Sequence, residues 1–183
     1  MFGEMNRRVP CATARRIGFS RGAAVRDGGG EVPFSPLHLL RFTLGDARYG
    51  VAIDRVVEVA PRVLITPLPG VPDFVEGIFS YRRRACVAVS LRRRLGHPTR
   101  APALDDHIVV VQGRRRLLGF VVDRVHGDQV VLDHEIEVPT ESSHHITGVV
   151  ALADGLLLIQ DIDAMLSDDE ERVLDQSIVG EKA

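Results

Sequence analysis

From Leu37 onward, apolar and polar residues alternate along much of the chain with a period of two, the pattern of strands with one buried face. Leu40, Phe42 and Leu44 alternate with polar or small neighbours, Gly45-Asp46 supplies a turn, and Tyr49, Val51 and Ile53 alternate again, which predicts a hairpin. Asp54 is placed to cap a short helical turn, Arg55 to Val59, that Pro61 would stop. Val63 to Ile65 predicts a further strand. Two prolines two positions apart, Pro67 and Pro69, exclude a central strand beyond it, so Thr66 to Pro72 reads as a loop or sheet edge. Phe74 to Tyr81 and Ala85 to Val89 predict two strands joined across Arg82, Arg83 and Arg84. Ser90 is a candidate N-cap for a helix over Leu91 to Leu95, with Gly96 as its stop.

A proline-containing linker, His97 to Ala103, precedes a second run of strands. Ile108 to Val111 and Leu117 to Val122 flank a short Gly-containing turn, a strong hairpin signal. Val130 to Leu132, Ile146 to Leu152 and Leu156 to Ile159 follow, the last two joined by the turn pair Asp154-Gly155. The end of the chain is helical: Asp161 to Leu166 predicts one short helix, and Ser167 with Glu170 forms a capping box that opens another. About ten short strands with turns between them indicate a mostly β fold of barrels or a sandwich. The linker near 97 to 106 splits them into two halves, each of a size for a five-stranded barrel.

Composition narrows the setting. With 45% hydrophobic and 26% charged residues, the chain supports one globular domain of roughly 130 to 150 residues plus tails. Residues 1 to 35 show no period, include Gly28-Gly29-Gly30 and carry six arginines, so they are expected to be a disordered basic arm. Cys11 and Cys86 offer no disulfide framework or metal spacing, in keeping with a reducing cytoplasm, and no metal or cofactor is expected. The apolar runs fall far short of the roughly 20 residues of a membrane helix.

Catalytic patterns are missing. Ser142, Ser143, His144 and His145, with His134 nearby, lack a nucleophile-elbow context and any ligand spacing, and Pro139 to His145 reads as a loop. A hydrolase is disfavoured because no nucleophile and base form a constellation. Cys86 is expected to pack as a small apolar residue. The arginine triplets at 82 to 84, 92 to 94 and 114 to 116 invite a nucleic-acid reading, but aromatic residues are scarce beside them and the net charge is only -2, so solvated loops and faces are the expectation.

In order and spacing, several segments between Leu37 and Ser177 resemble the CheW-like coupling domain of bacterial chemotaxis systems. They are RFTLGDARYGVAI, VVEV at Val56 to Val59, TPLPGVPDFVEG at Thr66 to Gly77, SLRRRLG at Ser90 to Gly96, LLGFVVDRV at Leu117 to Val125 and ITGVVALADGLLLIQDIDAML at Ile146 to Leu166. The resemblance implies two intertwined five-stranded, SH3-like barrels with short helices and a C-terminal helix. Its expected bounds are a first barrel over about 36 to 96, a second over about 104 to 160 and a helix over about 161 to 177, within a domain spanning 36 to 183. It implies no enzymatic activity. The implied role is an adaptor between the regulatory domain of a CheA-type histidine kinase and the cytoplasmic tips of chemoreceptors, touching the membrane only through those receptors.

The resemblance also marks residues. Arg82 sits where the family's arginine supports coupling, and Glu58 is its expected ion-pair partner. The expected partner-binding set is Glu58, Arg82, Val57, Pro69, Val71, Phe74 and Tyr81. This chain departs from the family at Ser80, Arg83, Val87 and Ser90. Arg83 replaces a glycine, which matters if that turn needs a positive φ. An adaptor of a pilus or gliding pathway is the alternative within this class, and a nucleic-acid binder using its arginine clusters is the alternative outside it.

Overall fold

The computed structural model describes residues 36–139 and 145–180. The expected arm over 1 to 35, Cys11, Ser142, Ser143 and His144 lie outside the described residues.

The opening alternation forms a hairpin of β1 (Pro36–Leu44) and β2 (Ala47–Ala52). Leu40 lies opposite Val51 and Phe42 opposite Tyr49, so the apolar positions meet on one buried face. A 3-10 turn, Ile53–Arg55, leads into β3 (Val56–Pro61). The helix expected over Arg55 to Val59 is therefore a strand, since three β-branched valines suit an extended backbone and find a ladder to join. The strand expected at Val63 to Ile65 is loop. Leu64 is 92% exposed, and only Thr66 makes a bridge, to Ile78.

β4 (Val75–Tyr81) and β5 (Arg84–Ser90) follow, then a single turn of helix, α1 (Leu91–Arg94). Gly96 closes this helix at φ +72. Ser90 makes no side-chain capping bond; it is buried, and its N–H is donated to the Phe74 carbonyl at 2.7 Å. The second run gives β6 (His107–Gln112), β7 (Leu117–Val122), β8 (Arg124–Leu132), β9 (Ile136–Glu137), β10 (Ile146–Leu152) and β11 (Gly155–Gln160). Asp161 to Leu166 is a turn rather than a helix, because Asp161 Oδ1 accepts the N–H groups of Asp163 at 2.8 Å and Ala164 at 3.2 Å. The capping box is made: Glu170 Oε2 accepts the Ser167 N–H at 2.7 Å, and Ser167 Oγ accepts the Glu170 N–H at 3.3 Å. It opens α2 (Asp168–Gly180).

The strands form a six-stranded sheet, β8-β1-β2-β11-β10-β9, and a five-stranded sheet, β3-β6-β7-β5-β4. Each is built from two hairpins joined by a parallel pairing, β2 with β11 in the first and β5 with β7 in the second. The leading hairpins are exchanged: β1 and β2 pair with strands that follow residue 106, while β6 and β7 pair with strands that precede it. Segment 97 to 106 therefore does not separate the sheets, and the two are intertwined. Each sheet also bends back on itself. β8, a 3-10 turn and β9 run from one edge of the first sheet to the other, and the segment after β3 reaches β4 through the Thr66 bridge. Such closure is consistent with a small SH3-like barrel.

Three apolar clusters fill the structure. One lies within the six-stranded sheet around Leu39, Val131, Val150 and Leu157, and one within the five-stranded sheet around Phe79, Cys86, Ile108 and Val110. The largest takes Phe42, Tyr49 and Val51 from one sheet, Val89, Val109 and Phe120 from the other, and Leu174 from α2, so it joins all three. Burial pushes the Cys86 thiol up to about 12, and this cysteine packs as a small apolar group. Gly77 is required where the Thr66 segment crosses β4: at φ +140, an added Cβ would lie 2.0 Å from the Thr66 carbonyl oxygen.

Candidate partner interface

On β3, Glu58 lies opposite Val110 and Ala60 opposite Ile108, both members of the five-stranded sheet's interior cluster. Residues directly opposite share a face, so the Glu58 carboxylate stands at the rim of that barrel rather than on its outer wall. Tyr81 reaches the same rim from the end of β4, where it packs against that cluster. Between Tyr81 and Arg84, which pair across the hairpin, only Arg82 and Arg83 make the turn. Their φ values are +47 and +65, the signature of a type I′ turn, whose usual occupants are Asn and Gly.

Three side chains converge. Both the Tyr81 hydroxyl, at 2.6 Å, and Arg82 Nη2, at 2.9 Å, donate to Glu58 Oε2. The Arg82 guanidinium also lies 5.2 Å from the centre of the Tyr81 ring, within cation–π range. The Tyr81 phenol is pushed up to about 12, first by burial and then by its bond to the Glu58 carboxylate. Arg82 is 72% exposed, so the ion pair itself contributes about 0 to 1 kcal/mol. Its effect is geometric: β3 and β4 are the two edges of the five-stranded sheet, and this cluster ties them together. Further along the same seam Arg62 Nη2 donates to Glu76 Oε2 at 2.5 Å, with both side chains mostly buried.

The remaining expected residues are dispersed. Val57 is exposed beside Glu58 on β3, and Val59 is exposed with it. Pro69 is exposed on the loop between β3 and β4, Val71 is half-buried against the large core, and Phe74 is buried in it. Arg94 covers Phe74, with its guanidinium 4.2 Å from the ring centre. Sequence reasoning missed the Arg62–Glu76 clasp, whose only trace is opposite charges on either side of a proline loop, and the exposed Val59 and Leu64.

The three arginine triplets part company. Arg92 pairs with Asp123, Arg93 donates to the Asp73 carbonyl at 2.7 Å and Arg94 grips Glu170 at 2.8 and 3.1 Å. Arg116 donates to Glu171 at 2.6 Å and to Asp175 at 2.5 Å, and Arg115 lies 3.6 Å from Asp168. Arg92, Arg94 and Arg116 are thus internal fastenings, whereas Arg93, Arg114 and Arg115 lie exposed, as the solvated faces expected from sequence. In the triplet at 82 to 84 all three residues are exposed, and among the described residues only Arg82 of them has a carboxylate partner.

A family model described as the CheW-like domain matches residues 38–170. The chain belongs to the CheW-like domain family. It is 27% identical over 141 residues to the chemotaxis protein CheW of Klebsiella aerogenes, an alignment covering 74% of this chain and 85% of that one. It is 26% identical over 137 residues to CheW of Rhizobium meliloti, covering 72% and 88%. Among solved structures it is similar to the scaffolding protein TtCheW from Thermoanaerobacter tengcongensis, with a TM-score of 0.70 at 26% identity over 74% of this chain and 96% of that one. The CheW-like match begins two residues into β1 and ends within the first turn of α2, so it spans both sheets and the rim cluster.

Proposed function

We propose that this CheW-like protein is a non-enzymatic, cytoplasmic chemotaxis adaptor that couples chemoreceptors to a CheA-type histidine kinase. The observation that carries the reading is the Glu58, Tyr81 and Arg82 cluster, an outward-facing polar rim on a fold of the coupling family. Its three side chains hold each other in one geometry, so the rim meets a partner with little left to order, which favours binding. Val57, exposed beside Glu58, adds apolar area. A nucleic-acid role is weakened, since Arg92, Arg94 and Arg116 of the arginine triplets are engaged with acids of the fold.

The test is receptor-controlled autophosphorylation of the histidine kinase with and without the protein, alongside co-elution of the three components. The wild-type protein should change the rate and join the complex. Arg82→Glu and Glu58→Arg should each impair both. Unchanged kinase rates together with no complex would overturn the reading.

A further inference from the structure

We infer that the hairpin tip, through Arg83 and Arg84, binds a pair of carboxylates on an acidic surface of a protein partner. This rests on the adaptor reading and adds the chemistry of the partner. Arg82 is already neutralised by Glu58, whereas Arg83 and Arg84 are exposed and form no ion pair with any described residue. Several other arginines are fastened to acids, as at Arg92, Arg94, Arg100 and Arg116. The tip is the arginine cluster that internal packing does not account for.

Backbone geometry points the same way. Left-handed φ is strained for a non-glycine residue, and here two consecutive arginines adopt it. Among the described residues none bonds the Arg83 side chain, and glycine would relieve the strain. A strained residue with no internal role marks a position held for an external contact. Ser80 and Ala85, opposite each other just below the tip, are small and exposed, so a surface can approach both guanidiniums without obstruction. Planar guanidiniums pair with carboxylates in two-point contacts, and two of them side by side suit neighbouring acidic side chains.

The test uses the full chain, with poly-L-glutamate as the acidic probe and a short DNA duplex as the phosphate probe, read by fluorescence anisotropy at low salt. Arg83→Gly combined with Arg84→Thr should weaken polyglutamate binding roughly tenfold and flatten its salt dependence. The Lys substitutions at both positions should retain only part of the binding, because they keep the charge but lose the two-point contact. Arg83→Gly alone should raise the melting temperature by about 2–4 °C while weakening binding, so stability and affinity move in opposite directions. Equal polyglutamate binding by wild type and the double variant would overturn the inference. So would tighter, tip-dependent binding to DNA, which would assign the tip to phosphates. The same proteins enter the kinase assay. Polyglutamate binding through the tip without kinase coupling would sink the adaptor reading alone, and coupling with no tip-dependent acid binding would sink this inference alone.

Discussion

Tyr81 and Arg82 share one carboxylate oxygen, and this makes the phenol a reporter of the rim. Burial, and then Glu58, push the phenol up to about 12 from the ordinary 10.0, since both favour the neutral form. In the unfolded chain the phenol ionises at the lower value, so its contribution to stability is fully present below about pH 10 and is lost as pH rises towards about 12. Glu58→Gln should lower the Tyr81 titration while leaving the part due to burial, as measured by tyrosinate absorbance against a Tyr81→Phe control. An unmoved titration would mean that Glu58 does not reach the phenol in solution. The Glu58–Arg82 pair was readable from sequence because both residues sit in segments of family-like spacing. Tyr81 as the third member was not, since its part depends on β3 and β4 being the two edges of one curled sheet. The need for positive φ at Arg83 was also foreseeable, but that Arg82 shares it emerges only from the register of Tyr81 with Arg84.

α2 is held by specific fastenings at each level. Leu174 enters the large core and is fully buried, Arg94 grips Glu170, and Arg116 reaches Glu171 and Asp175. The Glu170 carboxyl feels burial, which would raise it, yet the Ser167 N–H and Arg94 hold it below its usual range. Arg116→Ala leaves Glu171, only 7% exposed, without its cation, and should cost about 1–3 kcal/mol in chemical denaturation. It should also open α2 to protease before the sheets. Loss of stability with α2 still protected would show that Leu174 and the Arg94–Glu170 pair hold the helix without Arg116. The capping box was legible because its spacing is local. The turn at Asp161 was not: Ile162, Met165 and Leu166 have helical spacing, and only the Asp161 side chain, competing for nearby N–H groups, decides against a helix. The inward use of Arg92, Arg94 and Arg116 was hidden for a related reason, since their acids lie far away in sequence.

At the scale of the molecule, the exchange of hairpins makes the two halves mutually dependent. A chain ending near residue 96 has β1 and β2 but none of their outer partners, and one starting near 104 has β6 and β7 in the same position. Neither half should fold alone, while the two mixed should restore the β signature and cooperative melting, measured by circular dichroism. A folded isolated half would show that the exchange is dispensable. The linker in the sequence suggested a division into a barrel before it and a barrel after it, but both sheets draw strands from each side. The exchange was not visible in the strand pattern, because alternation specifies which face of a strand is buried and not which neighbour covers it.

That exchange sets a schedule for the chain as it is made. β1 must wait for β8, whose paired residues lie 81 to 96 positions later, and β2 for β11. At about 5–20 residues per second, the ribosome leaves the first hairpin without its outer strands for several seconds. Leu39, Leu40, Phe42 and Leu44 are then exposed to solvent and to other nascent chains. Protection of this hairpin during synthesis becomes a requirement of the topology, one that a fold with two sequential barrels would not impose.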